Sequence, residues 1–262
     1  MHNLTVIKIG GNVIDKPGAL NQFLSSFAQI RDHKILVHGG GKIATQVAEK
    51  LGVPTTMVEG RRITDQPMLD VVTMVYGGLV NKQIVAKLQA LEVNAIGLTG
   101  ADASTVLAKK RAVGEIDYGF VGDIVEIDSG QIQYMLRQGL VPVFAPLTYD
   151  EEGNLLNTNA DTMASAIAVD MVHKNTVTLV YCFEKKGVLL DPANDSSVIS
   201  SLTPQVYESH KTAGIISKGM IPKLDNAFKA LRNGVAKVII CHADQVVQAV
   251  KEGNAGTTLT LS

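Results

Sequence analysis

The 262-residue chain contains no tryptophan and only two cysteines. It also lacks any apolar run near the length of about eighteen residues that a membrane-spanning helix needs. Cys182 and Cys241 each end a strongly apolar stretch and have no metal-ligand spacing, which excludes a disulfide or zinc framework. They read as small core residues in a reducing compartment. There is no basic run to grip nucleic acid or anionic lipid and no acidic tail; the formal net charge is −1, with both signs spread along the chain. The opening MHNLTVIKIGG has no charged n-region and too short an apolar run for a signal peptide, so a soluble, cytoplasmic protein is expected. Repeats and low-complexity stretches are missing, and so is the G-x-x-x-x-G-K-[ST] loop of Walker-type nucleotide binders. The six histidines form no recognisable Ser-His-Asp or Cys-His set.

The length permits one large α/β domain or two fused lobes. It is enough to bury roughly 70–75% of the unfolded surface without a disulfide or metal. Short β-branched runs alternate with longer segments of helical period, which predicts a mainly parallel sheet covered by helices. Strands are expected at Thr5–Ile9, Lys34–His38, Asn94–Leu98, Leu140–Pro146, Thr176–Tyr181, Val235–Cys241 and Thr257–Leu261. Helices are expected near Ala19–Arg31, Ile43–Leu51, Gln66–Leu91, Ile132–Gln138, Asp161–Val172, Lys218–Asn233 and Asp244–Glu252. The Gly-punctuated segment Lys109–Asp128 reads as a hairpin over a site. Acidic and Gly/Asn residues from Tyr149 to Asn159 read as a loop joining two lobes, with a boundary near residue 175.

Two strands end in glycines: Lys8-Ile9-Gly10-Gly11 and His38-Gly39-Gly40-Gly41-Lys42. Such ends let a bulky anion approach main-chain N–H groups, and a following helix N-terminus adds donors and partial positive charge. Either loop alone is read equally well as a tight strand-to-helix turn. Gly39, Gly41 and Ala44, with Glu59 downstream, also fit a weak G-x-G-x-x-A dinucleotide pattern. Farther on, Asn159 or Asp161 suits the cap of an Ala-rich helix, or Asn157 suits a polar substrate and Asp161 the ordering of cations. Pro222 suits a first helical turn, which leaves Lys223 where the dipole disfavours a cation unless an anion is near. Arg62, after the Gly60 turn, is either a surface residue or a bidentate carboxylate grip.

In chain order, IKIGG, VHGGGK, EGRRIT, GLTGAD, YGFVGDI, GLVPVFAPL, GNLLNTNAD, GIISKGMIPK and the closing GTTL resemble the amino acid kinase family over nearly the whole sequence. GRRIT, NTNAD and GMIPK point within it to the branch that phosphorylates N-acylated glutamate. The resemblance implies an open, mainly parallel three-layer α/β sandwich and transfer from Mg-ATP to the γ-carboxylate of N-acetyl-L-glutamate, or of a related substrate such as N-succinyl-glutamate, in arginine biosynthesis. It implies that Lys8 and Lys223 contact the transferring phosphoryl group and that Asp161 holds those lysines. The backbone of Gly10, Gly11, Gly39 and Gly40 supports phosphates and substrate carboxylate, while Arg62 and Asn157 grip the acyl-glutamate. Residues 1–174 would bind the acyl-amino acid and dimerise, and 175–262 would bind ATP. The homodimer is expected because, with Lys8 already in the first strand, the N-terminal helix of hexameric members has no room. In the stretch Tyr181-Cys182-Phe183-Glu184-Lys185-Lys186-Gly187-Val188 the chain departs from the Thr/Ser-Asp-Val-x-Gly loop of relatives, so no individual ATP contact is assigned there. Other family members acting on different acceptors, a nicotinamide-dependent oxidoreductase and a non-catalytic sensor are the alternatives.

Overall fold

Residues 2–58, 60–191, 193–216 and 220–262 are described by a computed structural model. Internal contacts group the chain into two units, residues 1–35 with 164–262, and residues 36–163.

In the first unit the apolar run of His2–Ile9 lies parallel to Asn175–Phe183, which lies parallel to Lys237–His242. Thr257–Leu259 then joins antiparallel and Ser201–Leu202 parallel at the far side. Strands covered on both faces can be apolar throughout, as Val177, Leu179, Val180 and Cys182 show by being buried. Helix Pro17–Ala28 starts with proline in its first turn and buries Leu20, Phe23, Leu24 and Phe27, a 3–4 spacing that forms one face. Its far end is closed by Lys34, whose Nζ donates to the carbonyls of Phe27, Ala28 and Ile30 at 2.9, 3.1 and 2.7 Å. Burial lowers the Lys34 pKa to about 8.

In the second unit the sheet is parallel: Leu36 and Val37 pair with Val141–Phe144, which pairs with Ala95–Leu98. The fold is α/β with a mixed, mainly parallel central sheet and covering helices, the class expected from the alternation. The expected hairpin is present, with Val106–Lys110 antiparallel to Gly122–Ile127.

Three features differ from expectation. The segment expected to be a loop from Tyr149 is a tight hairpin of Leu147–Tyr149 and Leu155–Asn157. Its polar residues are the turn itself: the Asp150 carboxylate accepts from the N–H groups of Glu152 and Asn154, and Gly153 takes φ +84°. The segment Gln66–Leu91 is wound as α-helix at Gln66–Val72 and Asn81–Gln89 but as π-helix at Thr73–Val80. A short helix, Pro204–Thr212, capped by Thr203, went unread in its polar sequence. The start of the expected helix at Lys218 and the dinucleotide candidate Glu59 lie outside the described residues, as do Ser217 and Gly219; the described helix runs Ile221–Arg232.

Candidate active site

The first glycine-rich strand end belongs to the first unit. Lys8 is 7% exposed, on the last turn of backbone before the strand closes. Gly10 then flanks the short helix Gly11–Ile14, and a Cβ on Gly10 would stand 3.6 Å from Lys8 Nζ. Parallel register sets Lys8 opposite Tyr181, so Lys8, Tyr181 and Phe183 project from the same sheet face. Lys8 Nζ lies 5.6 Å from the centroid of the Phe183 ring. Lys223, in the first turn of helix Ile221–Arg232, brings its Nζ within 4.6 Å of the same centroid. The two ammonium groups, 215 residues apart in the chain (223 minus 8), can therefore be no farther apart than the sum of those distances.

Beside them opens a cavity of about 350 Å³ lined by Gly10, Gly11, Phe183 and Gly187, with aliphatic walls that include Val188 and Ile216. Its size suits a small organic ligand, and its walls suit a flat apolar ring more than a second cluster of charge. Gly187 permits close packing there, because a Cβ on it would stand 2.6 Å from Thr257 Oγ1. Cys182 and Cys241 are both free and fully buried, opposite one another in adjacent strands. Their mutual hydrogen bond, with burial, holds the Cys182 thiol well above its usual pKa.

A second cavity, of about 200 Å³, lies within the other unit. It is lined by Gly39, Gly40, Arg62, Tyr76 and Asn157 among others, which brings the four expected substrate residues to one pocket. Arg62 is 7% exposed; its Nη2 donates to the Gly41 carbonyl and to Thr45 Oγ1, each at 2.9 Å, and Nη1 donates to Thr55 Oγ1 at 3.3 Å. Asn157 Nδ2 donates to Thr64 Oγ1 at 3.0 Å, and that hydroxyl donates to the Arg62 carbonyl. The Asn157 side chain is thus tied through Thr64 to the main chain of Arg62. Gly40 sits at φ +151°, and a Cβ there would meet Tyr76 Cδ1 at 3.0 Å, so only glycine fits beneath the tyrosine ring.

His38 has a structural part in this loop. It is fully buried, accepts from Asn81 Nδ2 at Nε2 (3.1 Å) and donates from Nδ1 to the Gly39 carbonyl (2.7 Å). Desolvation lowers its pKa to about 4, so the ring is neutral at pH 7. The Gly-punctuated segment, which adds Val121 and Gly122 to the pocket lining, is tied down: Thr64 N–H donates to the Tyr118 carbonyl and Phe120 N–H to the Thr64 carbonyl. Arg111 braces it further through Nε, 3.2 Å from both carboxylate oxygens of Asp123.

Asp161 occupies the first turn of helix Ala160–Asp170. Capping falls to Asn159, whose Oδ1 accepts from the Thr162 N–H at 3.0 Å. Among the described residues no group of three His, Cys, Asp or Glu side chains is arranged to hold a metal ion. Phe183, Tyr76 and Arg111 were missed by sequence reading. Tyr76 hides in an apolar helical run and Arg111 in AKKR, while Phe183 closes an apolar strand and reads as core.

Residues 3–242 match the model of the amino acid kinase family. The chain belongs to this family. It is 55% identical to an acetylglutamate kinase of Cytophaga hutchinsonii over 99% of both chains, and 53% identical to one of Phocaeicola vulgatus over 98% of both. Among solved structures it is similar to smu.665 from Streptococcus mutans UA159, with a TM-score of 0.80, 28% identity and 99% of each chain covered. Membership removes most of the weight from the dinucleotide pattern, whose glycines serve the second pocket here.

Proposed function

We propose that the chain transfers the γ-phosphoryl group of ATP to the γ-carboxylate of N-acetyl-L-glutamate, or of a related N-acyl-glutamate such as N-succinyl-glutamate, as a step of arginine biosynthesis. The relatives' names support the reaction, and one observation carries the chemistry: Lys8 and Lys223 share the ring of Phe183 beside a glycine-edged cavity.

The acceptor carboxylate, with an ordinary pKa of about 4.3, is already an anion at neutral pH and needs no general base. The barrier is repulsion between that anion and the triphosphate. Two unit charges 4 Å apart repel by about 1 kcal/mol in water and about 4 kcal/mol at an effective dielectric of 20. Lys8 and Lys223 offset this by meeting charge on the transferring phosphoryl oxygens. Asp161 orders the two ammonium groups, a role open to it because Asn159 does the capping. Gly10 and Gly11 support the phosphates, and the aliphatic cavity receives the base of ATP. Mg²⁺ bound with the nucleotide would supply further positive charge against the phosphates. In the other pocket the fixed Arg62 guanidinium meets the α-carboxylate with its positive charge, Asn157 donates to the acyl-amino acid, and the N–H groups of Gly39 and Gly40 support its carboxylate.

In this reading the acyl-amino acid and the dimer contact belong to residues 1–174 and ATP to residues 175–262, with the first strand lending Lys8 to the nucleotide. The enzyme acts as a cytoplasmic homodimer. The described residues include no helix long and apolar enough to cross a membrane. The test is a hydroxamate assay, in which Mg-ATP, N-acetyl-glutamate or N-succinyl-glutamate, and hydroxylamine yield a coloured acyl hydroxamate. Absence of product from both substrates, alongside product from free glutamate, aspartate or carbamate, would reject the proposal.

A further inference from the structure

We propose that Phe183 is a positioning residue for phosphoryl transfer, its ring gathering the ammonium groups of Lys8 and Lys223. The inference rests on the kinase reading and adds a residue within the stretch 181–188, to which no individual ATP contact was assigned. The ring centroid lies 5.6 Å from Lys8 Nζ and 4.6 Å from Lys223 Nζ, both within the reach of a cation–π contact. The ring is itself held: it stacks on buried Tyr181, centroids 6.2 Å apart and planes 17° from parallel. Tyr181 is the register partner of Lys8, so strand pairing fixes lysine and ring together.

Two cations brought together repel, and Lys223 also stands in the first turn of a helix, where the dipole opposes positive charge. An aromatic face attracts each ammonium through its quadrupole while carrying no formal charge. The ring thus adds restraint without adding negative charge beside the incoming phosphates. Phe183 is half-buried and lines the cavity, so its face is available on the nucleotide side.

The experiment compares the full-length wild type with Phe183→Leu and Phe183→Tyr. It measures kcat in the hydroxamate assay, Kd for a non-hydrolysable ATP analogue by calorimetry, and thermal melting. Phe183→Leu is expected to lower kcat about three- to thirtyfold with the analogue's Kd within about threefold of wild type. Phe183→Tyr, which keeps the ring, is expected to restore most of the rate. The inference is overturned by a Leu variant within about twofold of wild-type kcat, by a Tyr variant as slow as the Leu variant, or by a loss residing wholly in Kd, which would make the ring a platform for the base. Should the Leu variant not fold, Phe183→Met carries the same comparison. An inactive wild type would instead sink the kinase reading, and this inference with it.

Discussion

Replacing Arg62 by lysine keeps a positive charge in the second pocket and removes its shape. The guanidinium spends Nη2 on two acceptors at 2.9 Å and Nη1 on a third at 3.3 Å, which aims the planar group before any substrate arrives. A lysine reaches at most part of this set and meets a carboxylate as a point charge. Losing the charge-assisted contact with the α-carboxylate costs about 1.5–3 kcal/mol, and losing the aiming contacts adds about 1 kcal/mol. A total of about 2.5–4 kcal/mol predicts a rise in the acyl-glutamate KM of roughly 70- to 900-fold. Initial rates in the hydroxamate assay, taken against acyl-glutamate and then against ATP, isolate the effect: the ATP KM is expected to stay within about threefold. An Arg62→Lys enzyme with its acyl-glutamate KM changed less than threefold would refute the assignment of the carboxylate to this pocket. A matching rise in both constants would point to a collapsed fold instead, which the melting temperature would reveal.

Lys8→Arg and Lys223→Arg keep charge but displace it, so each is expected to cut kcat by about a hundredfold or more, with substrate KM values little altered; near-normal turnover in both would defeat the phosphoryl-contact role. Gly40→Ala forces an unfavourable φ and a Cβ into Tyr76 at 3.0 Å, so it should lower stability by about 1–3 kcal/mol, seen as a fall in melting temperature, and weaken acyl-glutamate binding. His38 is neutral when folded down to about pH 4, whereas the unfolded chain protonates it near 6.5. The unfolded state therefore binds the extra proton, and the stability this group contributes above pH 6.5 is lost as pH falls towards 4, by about 3 kcal/mol in all. Urea unfolding of wild type and His38→Gln across that window should show a shallower decline in the variant; parallel declines would place the acid lability elsewhere.

Legibility followed the range of the interactions. The strand at Lys34–His38 was readable as a short, continuously buried β-branched and apolar run, and the face of helix Pro17–Ala28 by burial at its 3–4 spacing. The hairpin of Leu147–Tyr149 and Leu155–Asn157 was not, because three-residue strands leave too few repeats and their Asp150–Asn154 turn looks like any polar loop. Gly39, Gly40, Arg62 and Asn157 announced themselves by glycine turns and by resemblance, and they share a pocket. Phe183 could not, since its partners come from residues 8 and 223 and a lone aromatic at a strand end reads as core. Winding is equally hidden: nothing in the apolar spacing of TMVYGGLV separates a π turn from an α turn.

That wider coil has a mechanical corollary. Rewinding Thr73–Val80 as α-helix at unchanged length would advance every residue by a larger angle than the wider coil does, and so rotate everything beyond it around the axis. Asn81 would leave both His38 and the Val143 carbonyl, and the imidazole that steadies the Gly39 carbonyl would lose its own anchor. A change of winding far along the helix would thus be felt as a slackened glycine loop, with no side chain of that loop altered.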